Sequence, residues 1–185
     1  VAPSTPVIVV SGPPASGKTF VAETLAERLA VPLIAKDTIK EILYDELGLG
    51  DLAWSQQLGR ATFALLFRAL EDQARARKPA IVEANFGAAA RERFLDLGKT
   101  FGIRYLEIHC TADPGTLVAR YAARAGSRHA GHLDEQRIDD VRATVAGGTN
   151  GALGLGAEVL VVDTTSFAAV DIAAVTEAAR AYLMD

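Results

Sequence analysis

Residues 12–19 read Gly-Pro-Pro-Ala-Ser-Gly-Lys-Thr, a loop bounded by glycines and closed by Lys18 and Thr19. Val7–Val10, just before it, is a wholly apolar, β-branched run, as expected for a central parallel strand covered on both faces. Lys18–Leu29, just after it, repeats apolar residues at Val21, Leu25 and Leu29, the spacing of one helix face. A strand that feeds a glycine loop and then a helix restricts the chain to the α/β class.

The loop matches G-x-x-x-x-G-K-[ST] at every fixed position. Gly12 and Gly17 let the backbone curl around a phosphate, so that the amides from Ala15 and Ser16 to Phe20 can converge on it. The positive end of the following helix adds to the pull on anions. Lys18 reaches the outer phosphates, and the Thr19 hydroxyl suits magnesium. The expected ligand is a nucleoside triphosphate with Mg2+. No guanine-reading Asn-Lys-x-Asp pattern occurs, which favours ATP.

Further strands are expected at Val31–Ala35, Ala80–Glu83, Arg104–Cys110 and Val159–Val162. Between them lie helical stretches at Thr38–Leu47, Trp54–Ala76, Arg91–Lys99, Asp134–Val145 and Ala168–Leu183. Thr38 and Glu41 have capping-box spacing. Asp113-Pro114 starts a helix that runs to about Ala125, with an N-cap followed by proline at the first helical position. Gly147–Gly156 holds five glycines in ten positions and reads as a flexible loop. Strands alternating with helices give a parallel sheet with right-handed crossovers, which binds its ligands beyond the carboxyl ends of the strands.

Asp37 follows the second expected strand, where a carboxylate can take the proton of an attacking hydroxyl. It equally favours the start of the Thr38 helix. Lys36 beside it is a surface charge or a substrate contact. Glu83 ends a short apolar run and is placed to hold a magnesium-bound water. Asn85 can hydrogen-bond an acceptor, and Phe86 packs on substrate or fills the core. Arg120 and Arg124 share a helix face, and Arg128 follows, with no carboxylate between Asp113 and Asp134. An arginine cluster without acids suits a triphosphate. His129 and His132 continue it as candidate substrate or phosphate contacts. Thr165 follows the last strand, where a nucleotide base often rests. His109 and the single cysteine, Cys110, read as buried core residues.

The chain has 185 residues, half of them apolar, and a formal charge of −4. These values suit one domain over residues 1–185 and argue against general nucleic-acid binding, which needs clustered positive charge. No apolar run approaches the roughly 20 residues needed to span a bilayer. With no signal peptide discerned, the cytoplasm is the expected location. Both a monomer and a homodimer suit the sequence.

Taken together, Gly12–Thr19, Ala35–Glu41, Glu83-Ala84-Asn85-Phe86, Arg120-x-x-x-Arg124 and Arg128-His129-x-Gly131-His132 resemble the small bacterial P-loop kinases of the AAA type. These are similar to chloramphenicol phosphotransferase and, more distantly, to zeta toxin and the polynucleotide 5′-kinases. The resemblance extends from Val7 to Leu183. It implies a three-layer P-loop fold with a five-stranded parallel sheet of order 2-3-1-4-5 and a helical lid over roughly residues 113–133. It implies that Asp37 is a general base, that Arg120 lies near the adenine or the phosphates, and that Arg124 faces the transferred phosphoryl group. The expected activity is ATP-dependent phosphorylation of a small-molecule hydroxyl on an antibiotic, sugar or nucleoside. A nucleic-acid 5′-hydroxyl kinase and a nucleotide-sensing module without an acceptor are the alternatives.

Overall fold

The computed structural model describes residues 4–148, 151–156 and 159–185. Five strands, β1 (Thr5–Ser11), β2 (Leu33–Ala35), β3 (Ala80–Glu83), β4 (Ile103–Thr111) and β5 (Val159–Asp163), pair in parallel in the order β2-β3-β1-β4-β5. The order expected from the family resemblance is the order found.

Alternation along β1 explains why helices cover both faces. Val7 and Val9 point into one core with Leu66, Phe67, Val82, Phe94 and Tyr105, beneath α3 (Leu52–Arg75) and α4 (Ala88–Phe101). Ile8 and Val10 point into the other with Val21, Leu25, Ile81, Ile108 and Val175, beneath α1 (Lys18–Leu29) and α7 (Ile172–Met184). All four β1 side chains are fully buried. Each contributes about 1.5–3 kcal/mol of hydrophobic stabilisation. This central strand therefore holds the loop that follows it in a fixed place.

The register sets the upper edge of the sheet. Val10 lies beside Glu83 and Ser11 beside His109, so the ends of β3 and β4 flank the start of the glycine loop. Helix α5 (Pro114–Arg124), two short 3-10 turns (Ala130–His132 and Asp134–Arg137) and α6 (Ile138–Ala146) arch over that edge. The cap at Asp113 is as expected: its Oδ2 accepts from the Thr116 amide at 2.9 Å. Among the described residues, no helix is long and apolar enough to cross a membrane.

Two expectations need correction. Helix α2 (Lys36–Leu47) begins two residues before Thr38 and is capped by Ala35 without a side-chain bond. Thr38 therefore sits inside the first turn and forms no capping box, and Glu41 is free to turn to His132. The glycine-rich segment was expected to be a flexible loop. Its residues 151–156 are tied down, because the buried carboxylate of Glu107 accepts from the amides of Leu153 (2.5 Å) and Gly154 (3.0 Å). Leu153 and Leu155 enter the α3–α4 core. Residues 149 and 150 of the same segment lie outside the described residues.

Candidate active site

The glycine loop has the backbone of an anion cradle. Gly12 has φ 144°, and a Cβ there would lie 2.7 Å from the Ser16 Oγ and against the Cys110 carbonyl, so only glycine fits. Ala15 (φ 64°) and Gly17 (φ 73°) are left-handed on either side of Ser16, a turn-rich conformation in which successive amides can converge on one anion. The left-handed Ala15 carries a strain that a side chain normally avoids. It is buried against Tyr121 and Val141 of the overlying arch. Among the described residues, the Ser16 Oγ and the Arg124 Nε are both buried without a hydrogen-bond partner. Orphaned polar atoms on the loop and on the arch above it fit a polyphosphate between them.

Lys18 is buried at the first turn of α1, with Nζ 3.3 Å from the Pro13 carbonyl and 4.0 Å from Glu83. Burial depresses its pKa, and Glu83 and Asp37 partly offset that. Burial raises the pKa of Glu83, against the pull of Lys18. Thr19 and Phe20 are exposed at the loop mouth. Among the described residues, no three His, Cys, Asp or Glu side chains gather to hold a metal alone. Thr19, exposed at the loop mouth, and the Glu83 carboxylate beside Lys18 are the oxygen donors on hand for an ion such as Mg2+.

Asp37 faces Lys18 from the first turn of α2. Its Oδ1 accepts from Lys36 at 3.2 Å and its Oδ2 from Arg128 at 2.5 Å. Burial works to raise its pKa, but Lys36 and Arg128 outweigh burial and hold the carboxyl well below the usual carboxylate range. Asp37 is thus held ionised, and the same cations lower its basicity for as long as they stay paired with it.

The expected acid-free arginine cluster needs correction, because acids reach it from outside the segment. Arg128 pairs with Asp37 and, at 3.0 Å, with the buried Asp134. Asp134 also accepts from the Tyr121 hydroxyl at 2.8 Å and lies 3.9 Å from the Arg124 Nε. Arg124 keeps unsatisfied donor capacity, and burial together with Arg128 lowers its pKa. Lys18, Asp37, Asn85, Arg124, Arg128 and His132 line one cavity of about 50 Å³. Such a volume admits a small oxyanion but not a sugar.

On the other side of the loop, Arg120 donates to the carbonyls of Thr164 (2.7 Å) and Thr165 (3.0 Å) and lies 4.3 Å over the Phe167 ring. Phe20 meets the same ring edge-on at 5.7 Å. Arg120, Thr165 and Phe20 are therefore gathered, but away from the Asp37 cavity.

Two further candidates are placed elsewhere. Phe86 is buried among Phe63, Phe67 and Phe94, and so fills the core instead of facing substrate. His129 stacks on Tyr44 at 5.4 Å and bonds Asp45 at 3.1 Å, so it ties the arch to α2 outside the cavity. His132 does line the cavity. Its Nε2 lies 2.8 Å from Glu41 and 3.0 Å from Arg128. Burial first, and then Arg128, lower its pKa.

Sequence reading passed over Asp134, Tyr121, Phe167, Arg137 and Lys40. Only Lys40 carried a signal, since it lies four residues after Lys36 and so on the same face of α2.

Known proteins agree with this architecture. A protein of Chloroflexus aurantiacus j-10-fl proposed to be a kinase is 32% identical, with 97% of this chain and 98% of that one covered at a TM-score of 0.89. A gluconokinase from Sinorhizobium meliloti 1021 is 19% identical over 98% of this chain and 92% of that one, with a TM-score of 0.51. The tunicamycin resistance protein of Deinococcus radiodurans is 22% identical over 96% and 94%, with a TM-score of 0.55. At such identities, the last two share the fold alone. No curated protein matches the chain. The family model described as AAA domain matches residues 7–147, and with the P-loop geometry in place the chain belongs to that family, on a fold it shares with P-loop kinases.

Proposed function

We propose that this protein is a kinase that transfers the γ-phosphoryl group of ATP, with Mg2+, to a hydroxyl of a small molecule. One observation carries the reading: the ionised Asp37 shares a cavity with Lys18 and Arg124, within reach of the phosphate loop. A hydrolytic switch has no need of a second carboxylate opposite its phosphates, whereas a kinase needs one for the acceptor's proton.

The balance of the step is simple. The acceptor hydroxyl oxygen forms a bond to the γ-phosphorus, the bond to the bridging oxygen breaks, and its electron pair leaves with ADP. The hydroxyl proton passes to Asp37. Lys18 and Arg124 offset the charge on the phosphoryl oxygens, and Asn85 orients the acceptor. Magnesium, held through Thr19 and a Glu83-bound water, would supply further charge neutralisation. Arg120, Phe20 and Thr165 form the rim for the base. Arg128 releases Asp37 for the acceptor and turns to phosphate.

A second cavity of about 250 Å³ supports an enzyme over a pure sensor. Ser55, Gln56 and Phe63 help to line it, and it shares Lys36, Lys40, Asn85 and Arg137 with the first. Its size and polarity favour a small molecule. The formal charge of −4 speaks against a nucleic-acid strand. The test is incubation with ATP and Mg2+ against a panel of antibiotics, sugars and nucleosides, read by mass spectrometry. A gain of one phosphoryl group on an acceptor is expected. No measurable binding of any nucleoside triphosphate overturns the reading.

A further inference from the structure

Lys40 is 5% exposed, yet among the described residues no carboxylate lies within ion-pairing distance of its Nζ. Its one hydrogen bond goes to the Ser55 Oγ at 3.0 Å, and its charge lies 5.3 Å from the centre of the Tyr44 ring. Arg137, half-buried on the second 3-10 turn, lines both cavities with it and has no carboxylate partner among the described residues either. Burial first, then Lys36 and Arg137, push the Lys40 pKa down to about 8, with Asp37 opposing. A buried cation with no counter-ion is costly, and so is a second one beside it. Such an arrangement is rational where a ligand brings the missing charge.

Position suggests which part of the ligand that is. Lys40 lies three residues after Asp37 on α2, about one helical turn or roughly 5 Å along the axis. It faces the larger cavity, on the side away from the phosphate loop. Ser55 and Gln56 offer polar partners there, and Asp140, the one carboxylate in that lining, makes no ion pair with Lys40 or Arg137 among the described residues. Lys36 is already paired with Asp37, and Arg128 with Asp37 and Asp134. Lys40 and Arg137 are thus the cations left over for the acceptor.

We propose that the acceptor is itself anionic, a hydroxyl compound bearing a carboxylate or phosphate group that Lys40 and Arg137 hold while its hydroxyl faces Asp37. This rests on the kinase reading and narrows it. Antibiotics and nucleosides without charge are excluded as preferred substrates. Sugar acids and sugar phosphates share the required chemistry.

The test uses matched pairs: gluconate against glucose for the carboxylate, and ribose 5-phosphate against ribose for the phosphate. Each is assayed for turnover with ATP and Mg2+, and for binding by calorimetry to protein loaded with a non-hydrolysable ATP analogue. At least one charged member should bind ten times or more tightly than its neutral partner, and Lys40→Met should raise its Kd or KM at least tenfold with a smaller effect on kcat. Whichever pair shows the difference identifies the anionic group. Equal affinity within both pairs, or no binding of either charged compound, overturns the inference while nucleotide binding leaves the kinase reading intact. Loss of nucleotide binding would instead condemn the kinase reading.

A purely structural lysine is separated by melting temperature. In Lys40→Met, Ser55 keeps its 2.6 Å bond to the Tyr44 hydroxyl. Without acceptor, the variant should therefore melt above the parent protein. A lower melting temperature assigns Lys40 a structural role and overturns the proposal.

Discussion

The Arg128 guanidinium holds the Asp37 carboxylate at 2.5 Å, joining two residues 91 positions apart in the chain. This bond ties the arch over the phosphate loop to the first turn of α2. It keeps the proposed base ionised and occupies one of its oxygens. In the proposed reaction, phosphate entering the cavity would compete with Asp37 for Arg128, so that filling the site and freeing the base would be one event.

Asp37→Asn separates catalysis from binding. The amide keeps the shape of the carboxylate but cannot accept the proton. Turnover should fall by about 10²–10⁴-fold, while the ATP Kd, read by calorimetry, changes little. Full turnover in the variant would reduce Asp37 to a helix-start residue.

Arg128→Met tests the ion pair through pH. The folded-state pKa of Asp37 is depressed by Lys36, Arg128, His132 and Lys18, against burial. A depressed carboxylate stabilises the fold above its unfolded pKa, and that stability is lost as pH falls through the folded value. Without Arg128, the folded pKa rises towards the ordinary one and the contribution shrinks. The parent should therefore out-melt Arg128→Met at neutral pH, and the gap should narrow as pH falls from 7 to 2. A gap that is constant over this range would show that the pair adds no pH-linked stability.

Gly131→Ala tests the seating of the arch. A Cβ at Gly131 would overlap the ring of Tyr44, which is 2% exposed and cannot swing away. Overpacking of this kind costs about 1–3 kcal/mol. For a chain of this size, each kcal/mol lowers the melting temperature by about 2–4 °C. Turnover should fall more than ATP affinity, because the displaced segment carries Arg128 and His132 and leaves the phosphate loop in place.

Glu107→Ala tests the anchor of residues 151–156. The change leaves the amides of Leu153 and Gly154 without their acceptor; the buried Leu153 amide left unpaired costs about 1–3 kcal/mol, while Gly154 is exposed and its amide can turn to water. Limited proteolysis should then cut within 151–156 faster than in the parent, and Glu107→Gln, which retains a carbonyl acceptor, should be cut at an intermediate rate.

The class of fold was legible because it rests on local patterns. The apolar run Val7–Val10, the glycine loop and the Lys18–Leu29 periodicity lie next to one another in sequence, and each dictates its backbone through nearest-neighbour sterics and burial. The phosphate cradle belongs to the same category. Asp37 and Asn85 were also within reach as lining residues of one cavity, because residues that follow parallel strands gather at one sheet edge, and Arg124 was so through its four-residue spacing from Arg120.

What the sequence could not disclose is pairing. The acid-free run from Pro114 to Leu133 suggested free arginines, but Asp37 and Asp134 come to Arg128 from outside it. Gly147–Gly156 looked loose because composition reports intrinsic freedom, while Glu107, 46 residues from Leu153, removes that freedom with two hydrogen bonds. Phe86 was open to either role until three aromatic rings from α3 and α4 enclosed it. Propensity and periodicity act over a few residues and determined the strands, the loop and the class. Charge compensation and packing act across space, so only the tertiary structure decided which charges are neutralised and which, at Lys40 and Arg137, have no carboxylate partner among the described residues.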